Sequence, residues 1–235
     1  MSDKKDLGPL EEKIGYAFKN RDLLRQALVH RSYLNEHKQF PLDHNERLEF
    51  LGDAVLELVV TDHLYKTYRD LPEGGLTNLR AAIVRGEMLS QVAHELGMEE
   101  FILLSRGEQR GNEKAREYIL ANAFEALVGA LYLDRGYEAA RSFIDRYVIA
   151  KLPGVIEQDL HIDSKSKFQE LAQEKYRVTP TYEVLREEGL DHAKHFVIGL
   201  FLGDRKMGEG AGSSKQEAQQ EAAKQALERL KEEGA

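Results

Sequence analysis

The sequence predicts an all-α N-terminal domain followed by a small α+β domain of order α-β-β-β-α. Two patterns carry this. From Leu10 to about Ala150 the apolar residues recur with the 3.6-residue period of helices, between short polar breaks, and no run alternates with period two. After Leu152-Pro153-Gly154 the pattern changes, and alternating segments appear between two helical ones. A length of 235 residues accommodates one or two domains. We place the first at 1–156, a linker at 157–163 and the second at 164–233.

In chain order, Asp22 to Tyr33 reads as a helix ending in His30-Arg31-Ser32-Tyr33, and Lys38–Asp43 with Pro41 as a loop. A helix from about Asn45 to Tyr68 stops before Leu71-Pro72-Glu73-Gly74-Gly75. Leu76 to Leu96 reads as one long helix carrying Arg80 and Arg85, Leu103 to Asn112 as a polar loop, and Tyr137 to Ala150 as a further helix. In the second domain Ser164 to Tyr176 is an amphipathic helix with Phe168, Leu171, Ala172 and Tyr176 on its apolar side. Thr181 to Glu187 is a strand, and His195 to Leu202 alternates with Phe196, Ile198, Leu200 and Leu202 on one face. Arg205 to Glu209 is a short third strand. Ser214 to Leu230 is a helix with a stripe of Ala218, Ala222, Ala223, Ala226 and Leu230.

The helix that begins near Asn45 is acidic. Glu46, Glu49 and Asp53 stand at i, i+3 and i+7, within roughly 60° of one another at about 100° per residue. Leu48, Leu51, Val55, Leu58 and Val59 lie opposite and are expected in the core. Phe50 and Ala54 stand where offsetting cations would be expected, so the three acids need another counter-cation, and a divalent metal is the simplest. Tyr118 to Leu133 is apolar on every side, which predicts burial all round. Asn122 and Glu125 interrupt it at i, i+3. A buried Glu costs several kcal/mol unless paired or metal-bound. Either this pair faces the acidic helix and completes an oxygen-ligand site, or Glu125 is paired with an arginine; spacing alone leaves both open.

Composition sets bounds. There is no Cys, which excludes disulfides, thiol catalysis and zinc–thiolate sites and fits a reducing cytoplasm. No apolar leader is visible at the N-terminus and no apolar run reaches about 18 residues, so the expectation is a cytoplasmic chain with no membrane partner. The net charge of −8 argues against a generally basic nucleic-acid binder.

The chain resembles ribonuclease III, the bacterial double-stranded RNA endonuclease. His44 to Leu58 (HNERLEFLGDAVLEL) is similar to that family's signature, and His30-Arg31-Ser32-Tyr33, Leu76-Thr77-Asn78-Leu79-Arg80 and Phe124 to Ala130 match in order. The resemblance implies an endonuclease domain followed by a double-stranded-RNA-binding domain. It implies Mg²⁺ as cofactor, with Mn²⁺ as a substitute, no small-molecule cofactor, and a homodimer with Phe50 packed across its interface. Phe50 lies near the acidic face, away from the Leu48, Leu51 and Val55 stripe, which itself hints at a partner; the alternative is a Phe buried under a loop of its own chain. Glu49 matches a metal ligand, Asp53 a catalytic carboxylate beside the metal, and Glu125 a ligand that is also catalytic. Glu46, and Glu73 in its loop, match acidic residues that shape the cleavage site. Asn122 stands where the family usually has an Asp ligand. Its amide oxygen can coordinate but brings no charge, so weaker metal affinity is expected.

In the second domain the resemblance implies that Gln169 and Glu170 meet the RNA minor groove, that His192 reaches the next minor groove, and that Lys215 meets phosphate across the major groove. Lys215 has its own argument: a cation in a helix's first turn opposes the dipole, which makes sense beside an anion, and the Gly208–Ser214 run is read as letting the RNA backbone come close. Residues 163–235 hold 12 Lys and Arg against 14 Asp and Glu, a net of −2. Relatives often have basic residues where Gln216 and Gln219 stand, so weak binding with a shallow salt slope is expected. His195 reads as structural. The reading of another class is an RNA-binding protein whose cleavage is weakened or lost through Asn122. A third, an all-α nucleotide hydrolase, is disfavoured by the appended RNA domain.

Overall fold

The computed structural model describes residues 5–158, 163–189 and 194–233. The chain divides into two units, Met1–His161 and Ile162–Ala235. The first holds α1 (Gly8–Ile14), α2 (Arg21–Ala27), α3 (Arg31–Glu36), α4 (Glu46–Thr67), α5 (Glu73–Val84), α6 (Gly86–Glu95), α7 (Glu113–Arg135), α8 (Tyr137–Tyr147) and α9 (Leu152–Glu157). The second runs α10 (Ser164–Tyr176), β1 (Thr181–Glu188), β2 (His195–Leu202), β3 (Arg205–Gly212) and α11 (Lys215–Glu233). The predicted fold class is the one observed.

The first unit is built on the crossing of α4 and α7. A Cβ on Gly52 would lie 1.7 Å from the Glu125 carbonyl oxygen, and one on Gly129 would lie 2.2 Å from that of Leu48. Two bare backbones therefore meet where any side chain would hold them apart. Around the crossing pack Leu48, Val55, Leu56, Phe124, Leu127 and Val128, all buried. α7 is central because its middle turns, Ile119 to Leu131, are apolar on every side and buried apart from Asn122 and Glu125. Its ends are not: Tyr118 and Leu133 are exposed, which corrects the expectation of burial throughout.

Other expectations are also corrected. Leu58 is exposed rather than in the core, because α4 buries Leu48, Val55 and Val59 while Leu58 turns to the outer side. The stretch 22–33 is two helices. α2 ends at Ala27, Val29 bridges to Leu103, and the His30 ring nitrogen accepts from the Ser32 amide to start α3. The predicted helix 76–96 is also two. Arg85 adopts an extended backbone (φ −62°, ψ 149°) that ends α5 and starts α6. Glu73 is the first residue of α5 rather than part of a loop: Pro72 precedes the helix, and an acidic side chain in the first turn suits the dipole.

In the second unit the sheet order is β1-β2-β3, antiparallel throughout, with α10 and α11 packed on it. β3 is longer than the predicted Arg205–Glu209. Gly208, Gly210 and Gly212 alternate along it, and a Cβ on each would come within 2.8 Å of backbone atoms of Ala218 or Ala222 on α11. These glycines admit α11 to the sheet. They belong to a strand rather than to a loop that approaches RNA, which corrects the reading of 208–214. The linker expected at 157–163 begins later, since Glu157 closes α9.

Candidate active site

The start of α4 is held in place by Asn45. Its backbone N–H donates to Val29 O (2.9 Å) and its side-chain amide to Ala27 O (3.2 Å), and it is buried. Asn45 therefore pegs the acidic helix to the α2–α3 corner. From there Glu46, Glu49, Asp53 and Glu57 follow at intervals of three or four along one face.

The glycine crossing puts Glu125 of α7 beside this row. Burial, and then the charges of Asp53, Glu49 and Glu57, push its carboxyl up to about 7. Glu49 is raised as well, by burial and by the charges of Glu46 and Asp53. The ends of the row carry cations: Arg31 Nη1 stands 3.4 Å from Glu46, and Arg80 Nε stands 2.9 Å from Glu57. The middle does not. Among the described residues no Lys, Arg or His pairs with Glu49, Asp53 or Glu125. The alternative of an arginine partner for Glu125 falls. Asn122 is half-buried one turn before Glu125 on the same face of α7. Glu73 is exposed, and its charge is not among those acting on Glu125.

Among the described residues no group of three or more His, Asp or Glu is placed so that it could hold a metal ion by itself. Burial, and after it the repulsion of like charges with no cation between them, raises the carboxyls of Glu49 and Glu125. The donor set nonetheless fits a hard divalent cation: three unpaired carboxylates and one amide oxygen, with no sulfur or imidazole. Phe50 is 81% exposed, so it is not covered by its own chain.

In the second unit Gln169 and Glu170 are exposed on α10. Lys215 is exposed at the first position of α11, where the Ser214 hydroxyl accepts from the Glu217 amide. Its ammonium lies 5.6 Å from the Phe196 ring centre. Gln219 faces inward and accepts a hydrogen bond from Lys165 Nζ (2.8 Å), so this position ties α11 to α10. His192 lies outside the described residues. His195 is exposed at the start of β2, which does not bear out a structural role.

A family model described as Ribonuclease-III-like matches residues 20–152, more than half of the chain. The chain belongs to the ribonuclease III family. A second model, Double-stranded RNA binding motif, matches 164–230. The protein named Ribonuclease 3 in Carboxydothermus hydrogenoformans is 45% identical over 98% of this chain and 98% of its own length. That of Oceanobacillus iheyensis is 44% identical over 96% of this chain and 98% of its own. A solved nuclease domain of ribonuclease III from Campylobacter jejuni is 38% identical with a TM-score of 0.57, covering 63% of this chain and 99% of that one. This ribonuclease III-family chain is thus an endoribonuclease with a nuclease domain and a double-stranded-RNA-binding domain. No helix among its described residues is long and apolar enough to cross a membrane.

Two positions in this endoribonuclease were missed in the sequence. Glu57 continues the i, i+4 series from Glu49 and Asp53, a signal that was available. Asn45 carried no signal, since its partners are backbone carbonyls distant in sequence.

The raised Glu125 carboxyl makes a pH prediction. Its folded value, about 7, lies above the ordinary glutamate range. The folded state therefore holds a proton that the unfolded chain has lost. The stability contribution is complete at low pH and lost as pH rises through about 7. Melting of the metal-free protein should show a downward trend from pH 5 to pH 8 that is flattened in Glu125→Gln. Parallel curves would contradict this.

Proposed function

We propose that this endoribonuclease hydrolyses phosphodiester bonds of double-stranded RNA with Mg²⁺, or Mn²⁺ in its place, leaving 5′-phosphate and 3′-hydroxyl ends. In this reading it works in the cytoplasm as a homodimer on ribosomal RNA precursors, and on messenger and transfer RNA precursors with paired segments. The observation that supports it most is the trio of unpaired carboxylates from two helices, Glu49, Asp53 and Glu125, set beside one another by the Gly52–Gly129 crossing.

Glu49, Asp53, Glu125 and the Asn122 amide oxygen would hold the ion. When bound, Mg²⁺ supplies charge for the phosphoryl oxygen and a lowered pKa for water. The residues do the rest. Asp53 and Glu125 orient the attacking water. Glu46 and Glu73 shape the cleavage site around the phosphate. Gln169, Glu170, His192 and Lys215 hold the duplex, which delivers the backbone to the carboxylates. A labelled hairpin RNA incubated with Mg²⁺, then with EDTA, tests the reading. Cuts that need the metal are expected; retained binding without cuts would overturn it in favour of a binding protein.

Phe50 supports the dimer. An 81% exposed Phe costs about 2 kcal/mol of unused burial, and the Campylobacter jejuni structure concerns a region involved in dimer formation of that nuclease domain. Phe50→Ala is expected to shift sedimentation from dimer toward monomer. An unchanged dimer would place the interface elsewhere.

A further inference from the structure

We propose that Glu57 and Arg80 form a charge bracket that positions a cation away from the metal-site carboxylates and so sets their affinity for a divalent ion. This deepens the metal-site reading above and rests on it.

Glu57 is one turn beyond Asp53 on the acidic face of α4, close enough to Glu125 for its charge to be felt there. Unpaired, it would be a further negative charge in an already repelling group. Arg80, on α5, meets it with Nε 2.9 Å from Oε2, and the same guanidinium donates through Nη1 to Thr61 Oγ1 at 3.0 Å. Two partners one turn apart on α4 fix the plane of the guanidinium, which a single ion pair between half-exposed groups would not do. The cation therefore points along α4, away from Glu49 and Asp53. Arg31 on Glu46 closes the other end of the row at 3.4 Å. The result is a row of four carboxylates in which the outer two are neutralised and the inner two stay open.

The two halves of the bracket should act in opposite directions. Arg80→Gln leaves Glu57 uncompensated beside the site, which favours a divalent cation. At roughly 8 Å and near-water screening, one added charge changes the affinity of a divalent ion by on the order of fivefold. Glu57→Gln releases Arg80, whose long side chain can swing to Asp53 or Glu125 and compete with the ion. Affinity should fall by a similar factor. The double variant Glu57→Gln/Arg80→Gln, with neither charge, should return close to wild type. A merely structural salt bridge would weaken both single variants in the same direction.

The test is calorimetric titration of the full-length chain and the three variants with Mn²⁺ alone, without RNA. Circular dichroism confirms that each variant is folded, and Glu57→Asp with Arg80→Lys serves as a milder pair should either glutamine variant fail to fold. Tighter Mn²⁺ binding in Arg80→Gln, weaker binding in Glu57→Gln and recovery in the double variant support the bracket. Binding by wild type with both single variants shifted in one direction, or unshifted, overturns it alone. No Mn²⁺ binding by the wild type overturns the bracket and the metal reading together.

Discussion

Glu125→Gln is expected to reduce cleavage of a hairpin RNA by roughly 10³-fold or more while leaving the affinity for the duplex unchanged. Gln has the shape of Glu and keeps a carbonyl oxygen, so what is lost is charge. In the proposed site Asn122 would contribute a neutral oxygen, and a second amide on α7 would leave only Glu49 and Asp53 to balance a divalent ion. Metal-ion stabilisation of the transition state is worth several kcal/mol, and each 1.4 kcal/mol is about tenfold in rate. The same substitution should raise the melting temperature of the metal-free protein at pH 8, because it removes a carboxylate that burial and three neighbouring acids oppose. Cleavage assays, duplex binding and thermal melts on one preparation check all three. Undiminished cleavage would remove Glu125 from the chemistry.

Gly52→Ala is expected to cost about 3 kcal/mol or more, because the added methyl would have to enter the Glu125 carbonyl oxygen. The obstacle is backbone, so no rotamer relieves it, and α4 and α7 must separate along the contact that aligns Glu49, Asp53 and Glu125. A fall of roughly 10 °C in melting temperature should accompany the loss. Activity should fall further than stability explains, since sub-ångström positioning is lost with the crossing. Gly74→Ala provides the contrast. A Cβ there meets nothing within 4 Å, and alanine favours the first turn of α5, so that variant should melt at or slightly above wild type. Equal melting of Gly52→Ala and wild type would contradict the close crossing.

These two positions illustrate what a linear sequence can and cannot disclose. The acidic row on α4 and the Asn122–Glu125 interruption on α7 are legible because each depends on local helical spacing. The ends of α10 and β2 are legible for the same reason, through their period and their flanking polar residues. The break at Arg85 is not. No proline marks it, Gly86 beside it is only a weak signal, and the apolar period runs across it, so α5 and α6 read as one helix. Gly208, Gly210 and Gly212 mislead in a related way. Alternating glycines look like a loop until the alanine stripe of α11 is laid against them, and that pairing is a tertiary fact. Gln219 looked like a position short of a phosphate contact; its role on Lys165 depends on α10 lying beside α11. The spacing of Leu58 puts it on the core side of α4, yet burial follows the neighbours rather than the wheel. The bracket of Arg80 on Glu57 needs α5 to fold back on α4, although the acidic spacing of Glu57 itself was there to be seen.

Anomalous diffraction from a crystal of the full-length chain soaked in Mn²⁺ tests the central claim most directly. The account predicts a peak between α4 and α7, within coordination distance of Glu49, Asp53 and Glu125. A peak bound elsewhere, or none there in a crystal of protein that cleaves RNA with Mn²⁺, would contradict it.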